Sequence, residues 1–184
     1  MKRDNWITLS IFVMLAALSR LLPHPVNVTP IAAMALFGAA HYNRKIGILI
    51  PLIALFISDL LINNILYASY YDRFVIFYPG AFFVYLSFFL IAGLGFLFLK
   101  KITVSRVVIS SLLASVLFFI VSNFGVWMSG TMYPQTWNGL ITCYVAAIPF
   151  FGHTLLGDLF YSGVLFGGYA LIESKLLNRV SVQH

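Results

Sequence analysis

The chain has 184 residues, about the length of a single domain. Only 9% of it is charged and 61% is hydrophobic, against about 25% and 45–50% in an ordinary soluble domain, which excludes a soluble globule. The net charge of +6 lies in short basic runs between long apolar stretches, so it points to a membrane and not to nucleic acid.

Taken in chain order, residues 6–22 are apolar up to Arg20 and have the outline of a signal peptide. The further hydrophobic stretches behind them favour an uncleaved first span. Pro23 and Pro25 end that helix, because proline removes a backbone donor and restricts the residue before it. Thr29-Pro30 predicts the start of a second helix over 30–42, at about 20 Å short for a crossing. A third span covers 46–66 and contains Asp59; residues 67–78, rich in tyrosine, form a loop; spans four and five cover 79–99 and 105–128. Residues 139–150 are apolar but too few to cross, which predicts an interfacial or re-entrant helix that stops before Gly152-His153. The last span covers 154–177. The expectation is therefore an all-α integral membrane protein, one domain over 1–184, with six transmembrane helices and one short extra helix.

Basic residues orient it. Lys2, Arg3, Arg44, Lys45, Lys100, Lys101, Arg106, Lys175 and Arg179 fall on one predicted side, and only Arg20 and Arg73 on the other. Positive charge collects on the cytoplasmic side, so both termini are expected inside, with the loops after spans one, three and five outside.

Charged groups in a span cost at least about 2.5–3.5 kcal/mol each, so they face the bundle interior and pair. Counting 1.5 Å per residue places Arg20, Asp59, Asn123 and Asp158 in one layer of the outer third. Helical spacing adds Asn63 to Asp59, Trp127 to Asn123, and Tyr161 and Ser162 to Asp158. An Arg20 network with both aspartates is expected, serving as a staple, a ligand site or both. The segments LFISDLLINNILY and TLLGDLFYSGVLF share a small residue before Asp-Leu and a preceding proline, Pro51 or Pro149, a weak internal repeat. Ala32, Ala35 and Ala39 form a small-residue stripe that suits close helix packing, internal in most proteins and partner-docking in a minority. The single cysteine, Cys143, and the lack of CxxC or HExxH spacing give no metal or cofactor site.

The segments RLLPHPVNVTPIAAMALFGAA, PLIALFISDLL and SNFGVWMSGTMYPQTWNGLITCYVAAIPFFGHTLLGDLFY resemble a family of small bacterial membrane proteins. That family is similar in size and six-span layout to the substrate-binding S components of energy-coupling factor vitamin transporters. The resemblance implies a vitamin-like or cofactor-like solute held on the outer side, and a transmembrane coupling subunit with an ATPase as partner. S components dock through an AxxxA pair on the first helix; here the nearest pair, Ala35 and Ala39, is on the second. A cobalamin-like ligand would need an axial donor, for which His24, His153 and Cys143 are the loop candidates.

The reading that results is a non-enzymatic solute binder using Arg20, His24, Asp59, Asn63, Asn123, Trp127, Asp158 and Tyr161. No GxxxxGK[ST] loop is present to hydrolyse nucleotide. The alternative is an accessory subunit of a larger membrane complex, which predicts no outer cavity. An intramembrane aspartyl protease is disfavoured, because Gly157-Asp158 lacks the GxGD context and Arg20 would hold the carboxylates ionised.

Overall fold

A computed structural model describes residues 4–181, with side chains from Ile7 to Ser174. Lys2 and Arg3 lie outside the described residues, as do the side chains of Lys175 and Arg179. Among the described residues there is helix and no strand: α1 (Asp4–Ser19), α2 (Ile31–His41), α3 (Arg44–Leu61), α4 (Ala81–Phe98), α5 (Val104–Met128), α6 (Trp137–Ser162) and α7 (Gly168–Ser181). Two π-helical turns, Ile62–Leu66 and Gly163–Gly167, follow α3 and α6. The caps are where short polar side chains put them: Asn43, Thr103 and Thr136 accept from the backbone N–H three residues on, opening α3, α5 and α6.

The burial pattern is the reverse of a soluble protein's. Ile7, Ile11, Leu15 and Leu18 of α1 and Val108, Leu112, Val116 and Ile120 of α5 point outward at helical spacing. Ser58, Asp59, Asn63, Ser111, Ser115, Asp158 and Ser162 point inward. Apolar stripes facing out and polar groups facing in suit lipid as the surrounding solvent. Four helical segments, Arg44–Leu66, Ala81–Phe98, Val104–Met128 and Trp137–Ser174, are long and apolar enough to cross a membrane. The protein is membrane-embedded.

At the centre is α2, packed against α1, α3, α4, α5 and α6. Every residue from 31 to 39 is buried. The alanine stripe is part of this core: Ala32, Ala35 and Ala39 are covered by the chain's own helices, and Ala39 lies under Gly95 of α4. It offers no surface to a partner helix, which corrects its assignment as a docking stripe. Gly38 and Gly47 bring α2 and α3 into backbone contact, since a Cβ on Gly38 would meet the Gly47 carbonyl and Pro51.

A second correction concerns residues 139–150. They are no separate helix. α6 runs unbroken from Trp137 through Pro149, Gly152 and His153, and continues through the π turn, so the helical segment Trp137–Ser174 has 38 residues, about 57 Å. Pro149 removes one hydrogen bond, but in apolar surroundings the freed backbone groups have no water to turn to and the helix is the best solution left.

Candidate functional site

The short helices shape the site. α1 and α2 span about 24 and 16 Å, whereas α5 spans about 37 Å. The connection between α1 and α2, residues 20–30, packs against α6 well along its length. The contact is marked by Gly157, where an added Cβ would touch Val28 and Thr29; Gly157 is 20 residues, about 30 Å, along α6 from Trp137. Above this connection opens a cavity of about 420 Å³, lined by Arg20, His24, Val26, Asn27, Thr29 and, from the end of α3, Ile62, Leu66 and Tyr67.

Arg20 stands at the cavity's edge and reaches into the protein. Its Nη2 lies 2.7 Å from Asp59 Oδ1, with the two side chains 10% and 3% exposed. Its Nη1 donates to Ser58 Oγ, which donates in turn to the Leu55 carbonyl. Tyr85 of α4 donates to the other carboxylate oxygen, Asp59 Oδ2, at 3.0 Å. The α1–α2 connection, α3 and α4 are thus tied by one ion pair in which each carboxylate oxygen has a partner, and further hydrogen bonds of this kind help a buried pair to hold. Next to it Ser19 of α1 is hydrogen-bonded to the Tyr161 hydroxyl of α6 at 3.0 Å. Outside the spans, burial pushes the Tyr78 phenol above its ordinary range, and the nearby Asp59 charge adds to the effect.

Of the expected residues, Arg20 and Asp59 come together as an ion pair, and Arg20 and His24 line the cavity. His24 is exposed and donates Nδ1–H to the Leu22 carbonyl at 2.6 Å. Asn63 is buried and donates to the Asp59 backbone carbonyl, so it supports the turn and leaves the carboxylate alone. Asp158 is not part of the Arg20 network. It is buried against α5, where Ser115 donates to it at 2.6 Å, and a turn away Ser111 donates to Ser162 at 2.7 Å.

The single polar layer is also corrected. Ser115, the level of Asp158, and Asn123 are eight residues apart on α5, about 12 Å along its axis. The unbroken α6 is the reason, because it carries Asp158 about 32 Å from its start, far below the predicted depth. Asn123 turns back on its own helix, donating to the Phe119 carbonyl. Trp127 donates to the Pro134 carbonyl and packs on Phe124 at the α5–α6 turn, away from the cavity. Cys143 is buried and donates weakly to the Asn123 carbonyl, and His153 is exposed on α6. The described residues contain no group of three His, Cys, Asp or Glu side chains able to hold a metal.

A family model described as a family of unknown function (DUF6580) matches residues 1–180. The chain belongs to that family. No curated protein and no solved structure matches it.

Residues that sequence reasoning passed over complete the site. Ser58 accepts from Arg20 and Tyr85 donates to Asp59, and Asn64 fixes the loop that follows by donating to and accepting from the Val75 backbone at 2.8 and 2.7 Å. The signal for Ser58 was its place beside Asp59. Tyr85 carried none, because a tyrosine in a phenylalanine-rich span looks like packing.

Proposed function

We propose that this protein binds a small solute in the cavity above residues 20–30 and passes it inward, as an S-component-like uptake protein of a bacterial inner membrane. Six crossings with both termini cytoplasmic go with this reading, on the strength of the nine-to-two basic asymmetry. The observation that carries it is a cavity of about 420 Å³ with a buried guanidinium at its edge. That volume falls in the range of small-molecule sites, which are mainly apolar with a few placed polar groups.

Two further features support it. Residues 22–27 are exposed, irregular and proline-containing, while the α5–α6 hairpin rising past them turns Ile120, Phe124, Ile141, Val145 and Ile148 outward, as lipid requires. Irregular backbone below a lipid surface is stable where it lines a water-filled cavity. Arg20 then orients the solute through whichever guanidinium protons Asp59 and Ser58 leave, and His24, Asn27 and Thr29 supply polar contacts. Asp59, locked to Arg20, holds the guanidinium in place. Energy for release inward would come from a coupling subunit with an ATPase.

A second reading, an accessory subunit in a larger complex, is favoured by one feature. Gly163 and Gly167 have open space where a side chain would go, beside a groove of about 350 Å³ between α5 and the second π turn, as at helix interfaces that admit a close partner.

Thermal shift of the purified protein against vitamins and related cofactors separates the two. A bound solute at a hundredfold excess over its Kd adds about 2.7 kcal/mol of stability, about 5–11 °C for a chain of this size. Val26→Trp, which fills the cavity from an exposed position, is expected to abolish the shift without loss of fold. A panel with no shift, together with a partner co-purifying through the glycine groove, would favour the accessory role.

A further inference from the structure

The two helices that carry aspartate share one order of features. α3 has Pro51, then Asp59, then the π turn Ile62–Leu66. α6 has Pro149, then Asp158, then the π turn Gly163–Gly167. Each is the third helix of a half, α1 to α3 or α4 to α6, and halves of three helices run in opposite senses. Membrane proteins with such interrupted helices in matching places of two halves use the interruptions to build ion and substrate sites.

The halves differ in what neutralises the carboxylate. Asp59 has Arg20, the residue that follows α1. The basic residues that follow α4, Lys100 and Lys101, are exposed and make no ion pair with Asp158. Asp158 accordingly has no cationic side chain in ion-pair reach among the described residues; its neighbours are hydroxyls. Ser115 donates to it directly, and Ser111 and Ser162 form a hydrogen-bonded pair one turn nearer the π turn. The elements packed on α6 bring no titratable group to it: the buried polar side chains of α5 are serines, the one titratable residue of α2, His41, is held among Phe37, Phe166 and Tyr169, and Arg20 of the α1–α2 connection is paired with Asp59. The Ser111–Ser162 pair is not sealed off. It lines the groove of about 350 Å³ that starts at Thr103 and Val104, at the first turn of α5.

A carboxyl group 4% exposed in a membrane interior does not stay an isolated anion: it takes up a proton or is neutralised by a cation. Here the protein provides oxygens and an approach but no cation. We infer that Asp158 with Ser115 is a site for one exchangeable monovalent cation, a proton or sodium, reached along the α5–α7 groove past Ser111 and Ser162. Sodium is a hard cation and suits the oxygens of the carboxylate and of Ser115, with the Ser111 and Ser162 hydroxyls along its approach; a proton needs only the carboxylate and the Ser115 bond. The site is separate from the Arg20 cavity and stands whether or not that cavity holds a solute.

The test compares wild type with Asp158→Asn, which keeps shape and hydrogen bonding and removes the exchangeable charge. Melting temperatures of both are measured from pH 5 to 9 and, at constant ionic strength, from choline chloride to sodium chloride. The difference between the two proteins cancels every other titrating group. If sodium binds, wild type gains about 3–6 °C on the variant at a tenfold excess over Kd, at fixed pH. If a proton binds, wild type gains on the variant as pH falls, at fixed sodium. Ser115→Ala, which keeps the carboxylate, shifts the sodium concentration or pH at which the gain is half complete, and it serves alone should Asp158→Asn not fold. Wild type and both variants responding in parallel to pH and to sodium would overturn the proposal.

Discussion

Arg20 and Asp59 bring opposite charges together in a largely buried place at the cavity's edge, where each neutralises the other. Arg20→Met or Asp59→Leu alone is expected to cost about 3–5 kcal/mol of stability, because the remaining charge is left uncompensated. The double replacement should cost less than the sum, a coupling that unfolding of the three variants in detergent measures directly; additive losses would mean the pair is not energetically joined. The pairing was legible in the sequence, since an arginine and an aspartate about equally deep in neighbouring spans have few alternatives. Which aspartate takes the arginine was not legible. It depends on where along α6 the residue Asp158 falls, and that was set by a helix that continues where proline and glycine suggested a break.

At the scale of the elements, close approach of helices does what hydrophobic force does in water, because lipid offers no drive to bury one apolar side chain against another. Gly38 and Gly47 let α2 lie directly on α3. Gly38→Ala should destabilise by about 1–3 kcal/mol, as overpacking does in other tight cores, whereas Gly93→Ala on α4, which meets nothing, should be neutral or stabilise by up to about 1 kcal/mol through helix propensity. Thermal unfolding of the two variants side by side checks this, and equal effects would refute the packing argument. Spans three to five were legible from run length and flanking charge. The extent of α6 was not, because turn signals such as Pro149 and Gly152-His153 describe chains that can exchange backbone hydrogen bonds with water, and this segment cannot. The alanine stripe on α2 was legible as a packing surface but not as to its partner, which is the rest of the same chain.

For the whole molecule, the connection between two short helices and the turn after α3 line the cavity. The shortness of residues 30–42 was visible in the sequence; that residues 20–30 and the turn after α3 enclose a depression needed the three-dimensional arrangement, because they are distant in the chain. The central claim is that this depression opens to the outside while the α2–α3 turn faces the cytoplasm. In a Cys143→Ser background, whose native thiol is buried, single replacements Asn27→Cys at the cavity and Asn43→Cys at the turn can be treated with a membrane-impermeant thiol reagent in intact spheroplasts. The account predicts rapid labelling for Asn27→Cys before permeabilisation and for Asn43→Cys only after it; labelling of both from the same side, or protection of Asn27→Cys on both sides, would contradict it.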